Sequence, residues 1–195
     1  MTTPQDDEPA VSYSTYAEFG ARFFQRAVTE ERVAAAAAGL AGRPVDFGPL
    51  GVGPMGIVKV SAHGRVGQPV ASPVEGEFVA YHLSLPVDLA LLIDMGLEKS
   101  RFNAVVTVRL SLTARPADPL KVVIDIEPPT RRDVEIRMQA EGLRASVLQL
   151  FAPIESEVRK SVARYVAAQL RRPEIAAARV IDVGAVLDSF RLSAH

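Results

Sequence analysis

The chain has 195 residues, 48% of them hydrophobic, which suffices for one domain with a substantial core. Its 22 basic residues are matched by 23 acidic ones, a formal net charge of -1, which argues against bulk electrostatic attraction to nucleic acid or to an anionic membrane while leaving room for a local basic patch. The absence of cysteine removes disulfides, thiol nucleophiles and cysteine-based zinc sites, and with no tryptophan and 6% aromatic residues a stacking platform for single strands is poorly supplied.

The first residues, Met-Thr-Thr-Pro-Gln-Asp-Asp-Glu-Pro, are acidic and polar, unlike a secretory signal. No run approaches the ~20 apolar residues that cross a bilayer. The expectation is a cytoplasmic protein with a disordered tail over 1–14 and a single α+β domain over 15–195. Thr15-Tyr-Ala-Glu18 matches a capping box, and Tyr16, Phe19, Phe23 and Ala27 then fall on one helical face. Thr29 followed by Glu30 and Glu31 reads as a second helix start, since acids suit the positive end of a helix. The alanine-rich run 33–38 has high helix propensity, and Gly42-Arg43-Pro44 ends it. Two helices, or one kinked helix, are expected over 15–41.

Residues 43–56, rich in glycine and proline, read as a connection or short edge strand. From 57 the apolar period changes to two. Alternating segments are expected over 57–63, 77–85, 87–95, 102–112, 120–126 and 134–140, with Pro86 marking a bend or strand edge. On the last three, one face collects Phe102, Val106, Val108, Leu110 and Leu112, then Leu120, Val122, Ile124 and Ile126, then Val134, Ile136 and Met138. The separators at 96–100, 115–119 and 127–130 are turn-like, so the segments predict a long antiparallel meander.

A helix is expected over 143–171. Val147, Phe151, Ile154, Val158, Val162, Val166 and Leu170 form one apolar stripe, while Glu155, Glu157, Arg159, Lys160 and Arg164 lie opposite. Pro153 either kinks this helix or opens a second one in its first turn. Arg171-Arg172-Pro173 supplies a stop, a closing strand is expected over 178–183, and a short amphipathic end follows. A strand over 101–113 and a helix over 143–171 would both span ~43 Å, so the helix can lie along the sheet and cover its apolar face.

Motifs for catalysis are weak. Gly51-Val-Gly-Pro-Met-Gly56 matches GxGxxG as a string, but a strand pattern follows it and Pro54 stands where a helix should begin, so it reads as a turn. His63 and His82 sit in strand patterns without metal-ligand spacing, and His195 is terminal. Asp88, Asp94, Asp125 and Glu127 fall opposite the apolar positions of their strands and read as a solvated face. There is no GxSxG elbow and no phosphate-loop Lys-Ser/Thr motif. No cofactor, metal site or catalytic residue is expected.

Helix, long meander, long kinked helix and closing strand together resemble one module of the tubular lipid-binding superfamily, which includes BPI-like and SMP-like domains. Arg101–Thr113, Pro119–Glu127, Asp133–Ala140, Leu143–Leu170 and Arg179–Val183 carry the resemblance, over about 57–190 and at the level of architecture. It implies non-catalytic binding of a lipid or other long hydrophobic molecule between sheet and helix, with Phe102, Val106, Val108, Leu110, Val122, Ile124, Val134, Ile136, Val147, Phe151, Ile154 and Val158 as the lining. It also implies that Arg131, Arg132, Arg171 or Arg172 meets a head group. Two other readings stay open: a helix-grip enzyme such as a polyketide cyclase, which needs polar groups pointing inward, and an assembly protein whose apolar surface is covered by a partner or by self-association.

Overall fold

The computed structural model describes residues 11–138 and 151–192, without the side chains at 54, 151, 191 and 192. Two helices open the chain, α1 (Tyr16–Ala27) and α2 (Glu30–Ala38). The capping box forms: the Glu18 amide donates to Thr15 Oγ1 at 3.2 Å, and the Thr15 amide donates to the Glu18 carboxylate at 2.9 Å. Thr29 caps α2 by accepting from the Arg32 amide at 3.4 Å. Only the C-terminal half of α1 packs inward, through Phe23, Phe24 and Ala27. Tyr16 and Phe19, on the same helical face, stay exposed because the face runs past the body it rests on.

Eight strands form one antiparallel sheet that curls into a half-barrel. They are β1 (Pro44–Val52), β2 (Val58–Val66), β3 (Val70–Val74), β4 (Ala80–Asp94), β5 (Lys99–Ala117), β6 (Lys121–Ile126), β7 (Val134–Met138) and β8 (Val180–Asp182). Helix α3 (Phe151–Leu170), helix α4 (Pro173–Ala178) and helix α5 (Val183–Leu192) complete the described chain.

The meander expected from the sequence is branched. The 15-residue β4 pairs along its whole length with the 19-residue β5. The other edge of β4 is shared by β2, over Val87–Asp94, and β3, over Ala80–Ser84. The other edge of β5 is shared by β7, over Ala104–Val108, and β6, over Leu112–Ala117. A strand as short as β6 leaves most of a long neighbour unpaired, and β7 returns to satisfy those orphan backbone groups. β8 then pairs with the outer edge of β6, and β3 is a strand that the alternation did not predict.

Pro86 does not divide β4 into the two segments expected. Its carbonyl accepts from the Gly67 amide at 2.7 Å, on the edge where β2 has ended and β3 has not begun. The nitrogen of a strand residue faces the same edge as its carbonyl, so Pro86 places its missing donor at a gap in the ladder. Pro116 is handled alike. Ala114 donates to Val79 just beyond the first residue of β4, so Pro116, two residues on, faces a stretch with no strand. The turn expected over 115–119 is accordingly shortened, and β5 runs to Ala117.

The inward positions of β2 shrink from Val60 to Ala62 to Gly64. A Cβ on Gly64 would lie 2.0 Å from the Asp88 carbonyl oxygen, so glycine is required for β2 and β4 to approach where the sheet bends. Helix α3 touches the rims of the half-barrel, β7 and the 3-10 turn Arg131–Asp133 on one side and β1 on the other. The apolar stripe expected for it is present in Ile154, Val158 and Val162, which are buried, and in Val166 and Leu170, which pack against the core. Pro153 is the third residue of the described helix. The N-terminal part of the expected helix, 143–150, lies outside the described residues, as do the first ten residues of the expected tail and the end of the strand expected over 134–140. The closing strand is three residues long and starts after α4, a helix the sequence did not announce. Leu120, expected to face inward with Val122, stands in the β5–β6 turn and is exposed.

Candidate functional site

Two features stand out, an apolar interior and a cationic cleft, on opposite faces of the same turns of α3. The interior is lined by the inward positions of β2, β4, β5 and β7. Among the predicted lining residues, Phe102, Val106, Val108, Leu110, Val134, Ile136, Ile154 and Val158 belong to one buried cluster, with Ile124 packed against it. Val122 belongs instead to a second cluster with Val28, Tyr81 and Ala114, closed by α1 rather than by α3. The single lining expected from the sequence is therefore divided between two covers. Val147 and the side chain of Phe151 lie outside the described residues.

The lining of the interior is deeply buried. Val106 is 0% exposed, and Val108, Val134, Ile154 and Val158 are 1% exposed. Its polar content is small. Ser161 on α3 is buried, and the Tyr81 hydroxyl in the second cluster donates to the Val28 carbonyl at 2.9 Å. Burial raises the Tyr81 pKa, and Glu31 and Glu30 add to the shift, so the phenol stays neutral and donates. No Asp, Glu, His, Lys or Arg is buried among the described residues, so no acid–base pair points into the interior.

The cleft is an open depression of about 620 Å³ between the 3-10 turn and the first turns of α3. Thr130, Arg131, Arg132, Ala152, Glu155, Ser156 and Arg159 line it. The turn is rigidly built. The Thr130 amide and hydroxyl both donate to Asp133 Oδ2 at 2.7 Å, and the Arg132 amide donates to Thr130 Oγ1 at 3.3 Å. The bonds from Thr130 hold the Asp133 carboxyl below the usual carboxylate range, with Arg109 and Arg132 adding to the effect. On the helix side Arg159 donates to Glu155 one turn earlier, while its buried Nε has no hydrogen-bond partner. Arg171 and Arg172, at the far end of α3, are exposed and take no part in the cleft.

The other candidate residues do not converge. His63 pairs with Asp46 at 2.7 Å on the surface, and His82 lies on the outer side of β4. Asp94 is held below its usual pKa by the Gly96 amide and by Lys99, at 3.0 Å, while Asp125 meets Arg115 at 3.6 Å. Asp88 and Glu127 are exposed. Among the described residues no group of three His, Asp or Glu side chains could hold a metal ion. The GxGxxG string ends β1, forms a 3-10 turn over Pro54–Gly56 and enters β2, so it joins two strands as expected. No helix among the described residues is long and apolar enough to cross a membrane.

The cleft is the feature that sequence reading missed as a unit. Arg131 and Arg132 were candidates by resemblance, and Arg159 belonged to a solvated helix face. The spacing of Glu155 and Arg159 signals an ion pair, but nothing local places that pair beside the 3-10 turn. No protein-family model and no curated protein matches this chain.

Proposed function

We propose that this chain is a non-catalytic binder of a lipid or other long hydrophobic molecule, held between the half-barrel and α3. The observation that carries the reading is a continuous apolar concave face with no titratable side chain buried in it among the described residues. Such a face can hold an alkyl chain, at ~0.8 kcal/mol per buried CH₂, but offers nothing to activate a substrate. Ile154 and Val158 of α3 lie buried against that face, so a ligand there takes their place. Among the described residues no backbone hydrogen bond ties α3 to the sheet, so parting them exchanges apolar contacts for other apolar contacts. That separates this reading from the helix-grip enzyme, which needs inward polar groups.

A second reading, an assembly role, draws support from the far edge of the sheet. There Leu120, Ile181, Val186, Leu187 and Phe190 are 45–70% exposed beside β8, whose outer edge pairs with no strand among the described residues. Native mass spectrometry of the purified protein, followed by organic extraction, tests both. The lipid reading expects a co-purifying lipid or uptake of a fluorescent fatty-acyl probe. A ligand-free monomer that takes up no probe overturns it, and a ligand-free dimer favours the assembly role.

A further inference from the structure

We propose that the cleft between the 3-10 turn and α3 is a binding site for a phosphate group, carried either by a lipid head group or by a soluble phosphate compound. Among the described residues three guanidinium groups line it, from Arg131, Arg132 and Arg159, against one lining carboxylate, Glu155. That carboxylate is already engaged by Arg159. Among the described residues neither Arg131 nor Arg132 forms an ion pair, and Asp133, whose pKa Arg132 helps to lower, takes its hydrogen bonds from Thr130. Among the described residues guanidinium groups thus outnumber acids in this concave place, which focuses their field on whatever enters.

The chemistry of the donors selects the ligand. A guanidinium is a planar fork that meets two oxygens at once. A carboxylate is satisfied by one such fork, whereas a tetrahedral phosphate presents enough oxygens for several donors. The Ser156 hydroxyl adds a neutral donor, while the Thr130 hydroxyl is occupied by Asp133. A cleft of about 620 Å³ exceeds the size of a bare phosphate and leaves space for a substituent.

The location adds the lipid source. Glu155, Ser156 and Arg159 face the cleft, and Ile154 and Val158 on the same turns enter the apolar interior. An amphiphile could place its phosphate against the arginines and its chain beneath the helix. This extension rests on the apolar-ligand reading, but the anion site itself does not.

The test pairs two probes with two variants, R131Q/R132Q and R131K/R132K, in the full chain. Inorganic phosphate is titrated while amide resonances are followed. Lipid uptake is measured from vesicles of phosphatidylcholine alone and of phosphatidylcholine with phosphatidylglycerol. Phosphate should shift the amides of 130–132 and 155–159 in the native chain. Those shifts should vanish in R131Q/R132Q and weaken in R131K/R132K, which keeps the charge and loses the fork. If the source is a lipid, phosphatidylglycerol uptake should fall roughly tenfold in R131Q/R132Q, as expected for lost charge-assisted bonds, with phosphatidylcholine uptake unchanged. Phosphate shifts without uptake of either lipid would uphold the anion site for a soluble compound and remove the apolar-ligand reading. Lipid uptake that is equal in all three proteins, with no phosphate shift, would overturn the anion site and leave the apolar-ligand reading standing. Shifts that persist unchanged in R131Q/R132Q would also overturn it.

Discussion

The two faces of α3 divide the chemistry of this molecule. Ile154 and Val158 look into an interior built from apolar side chains. Glu155, Ser156 and Arg159, on the same turns, look onto a cleft where three guanidinium groups meet one lining carboxylate. The inner face is buried within the chain, and apolar surface is satisfied by any apolar neighbour. The outer face is open, and a charged group is satisfied only by a specific partner. The contrast teaches where to look for stability and where to look for recognition.

Mutations that attack the inner face should have the largest effect. Leu91→Ala, at a position 1% exposed, should lower the free energy of unfolding by about 2–5 kcal/mol, measured by urea denaturation. A loss under ~1 kcal/mol would mean the interior is loosely filled, and the contrast between the faces would weaken. Tyr81→Phe should lower stability by roughly 1–2 kcal/mol, because it leaves the Val28 carbonyl buried without its donor. Amide exchange should show the loss concentrated in α1, which packs on that cluster.

The cleft side should respond more weakly and with a pH signature. Thr130→Ala should lower stability by about 1 kcal/mol through loss of the cap. Asp133 is held below its ordinary pKa in the folded chain, so its contribution is present above the unfolded value of ~3.9 and is lost as pH falls through the folded value. The stability difference between the native chain and Asp133→Asn should therefore be full at neutral pH and close in acid below ~3.9, followed by denaturation across that range. A difference that stays constant with pH would show that the effect is one of packing. R131Q/R132Q should change stability by less than ~0.5 kcal/mol, since both side chains are exposed and form no ion pair among the described residues. A larger drop in its thermal midpoint would place the arginines among the fold's supports.

Much of the fold was legible because the relevant signals are local. The alternation of Val87, Leu89, Leu91 and Ile93, and of Phe102 through Leu112, assigned inward positions that the structure buries. The capping residues Thr15 and Thr29 marked both helix starts. The prolines misled for a physical reason. Pro86 and Pro116 disrupt a ladder only if a partner needs their amide, and the sequence does not say which edge a strand residue faces or where its neighbour ends. β3 escaped notice because its five residues, Val-Ala-Ser-Pro-Val, are too short and too mixed for a period to emerge.

The sequence by itself determined which side chains of the long strands β4 and β5 turn inward and where α1 and α2 begin, because period and capping are properties of adjacent residues. Only the tertiary structure decided that β5 serves two partners, that the apolar lining is split between α1 and α3, and that Arg131 and Arg132 meet Arg159 across a cleft. Those outcomes depend on long-range closure, in which distant segments are brought together by the apolar area they bury and not by any local preference.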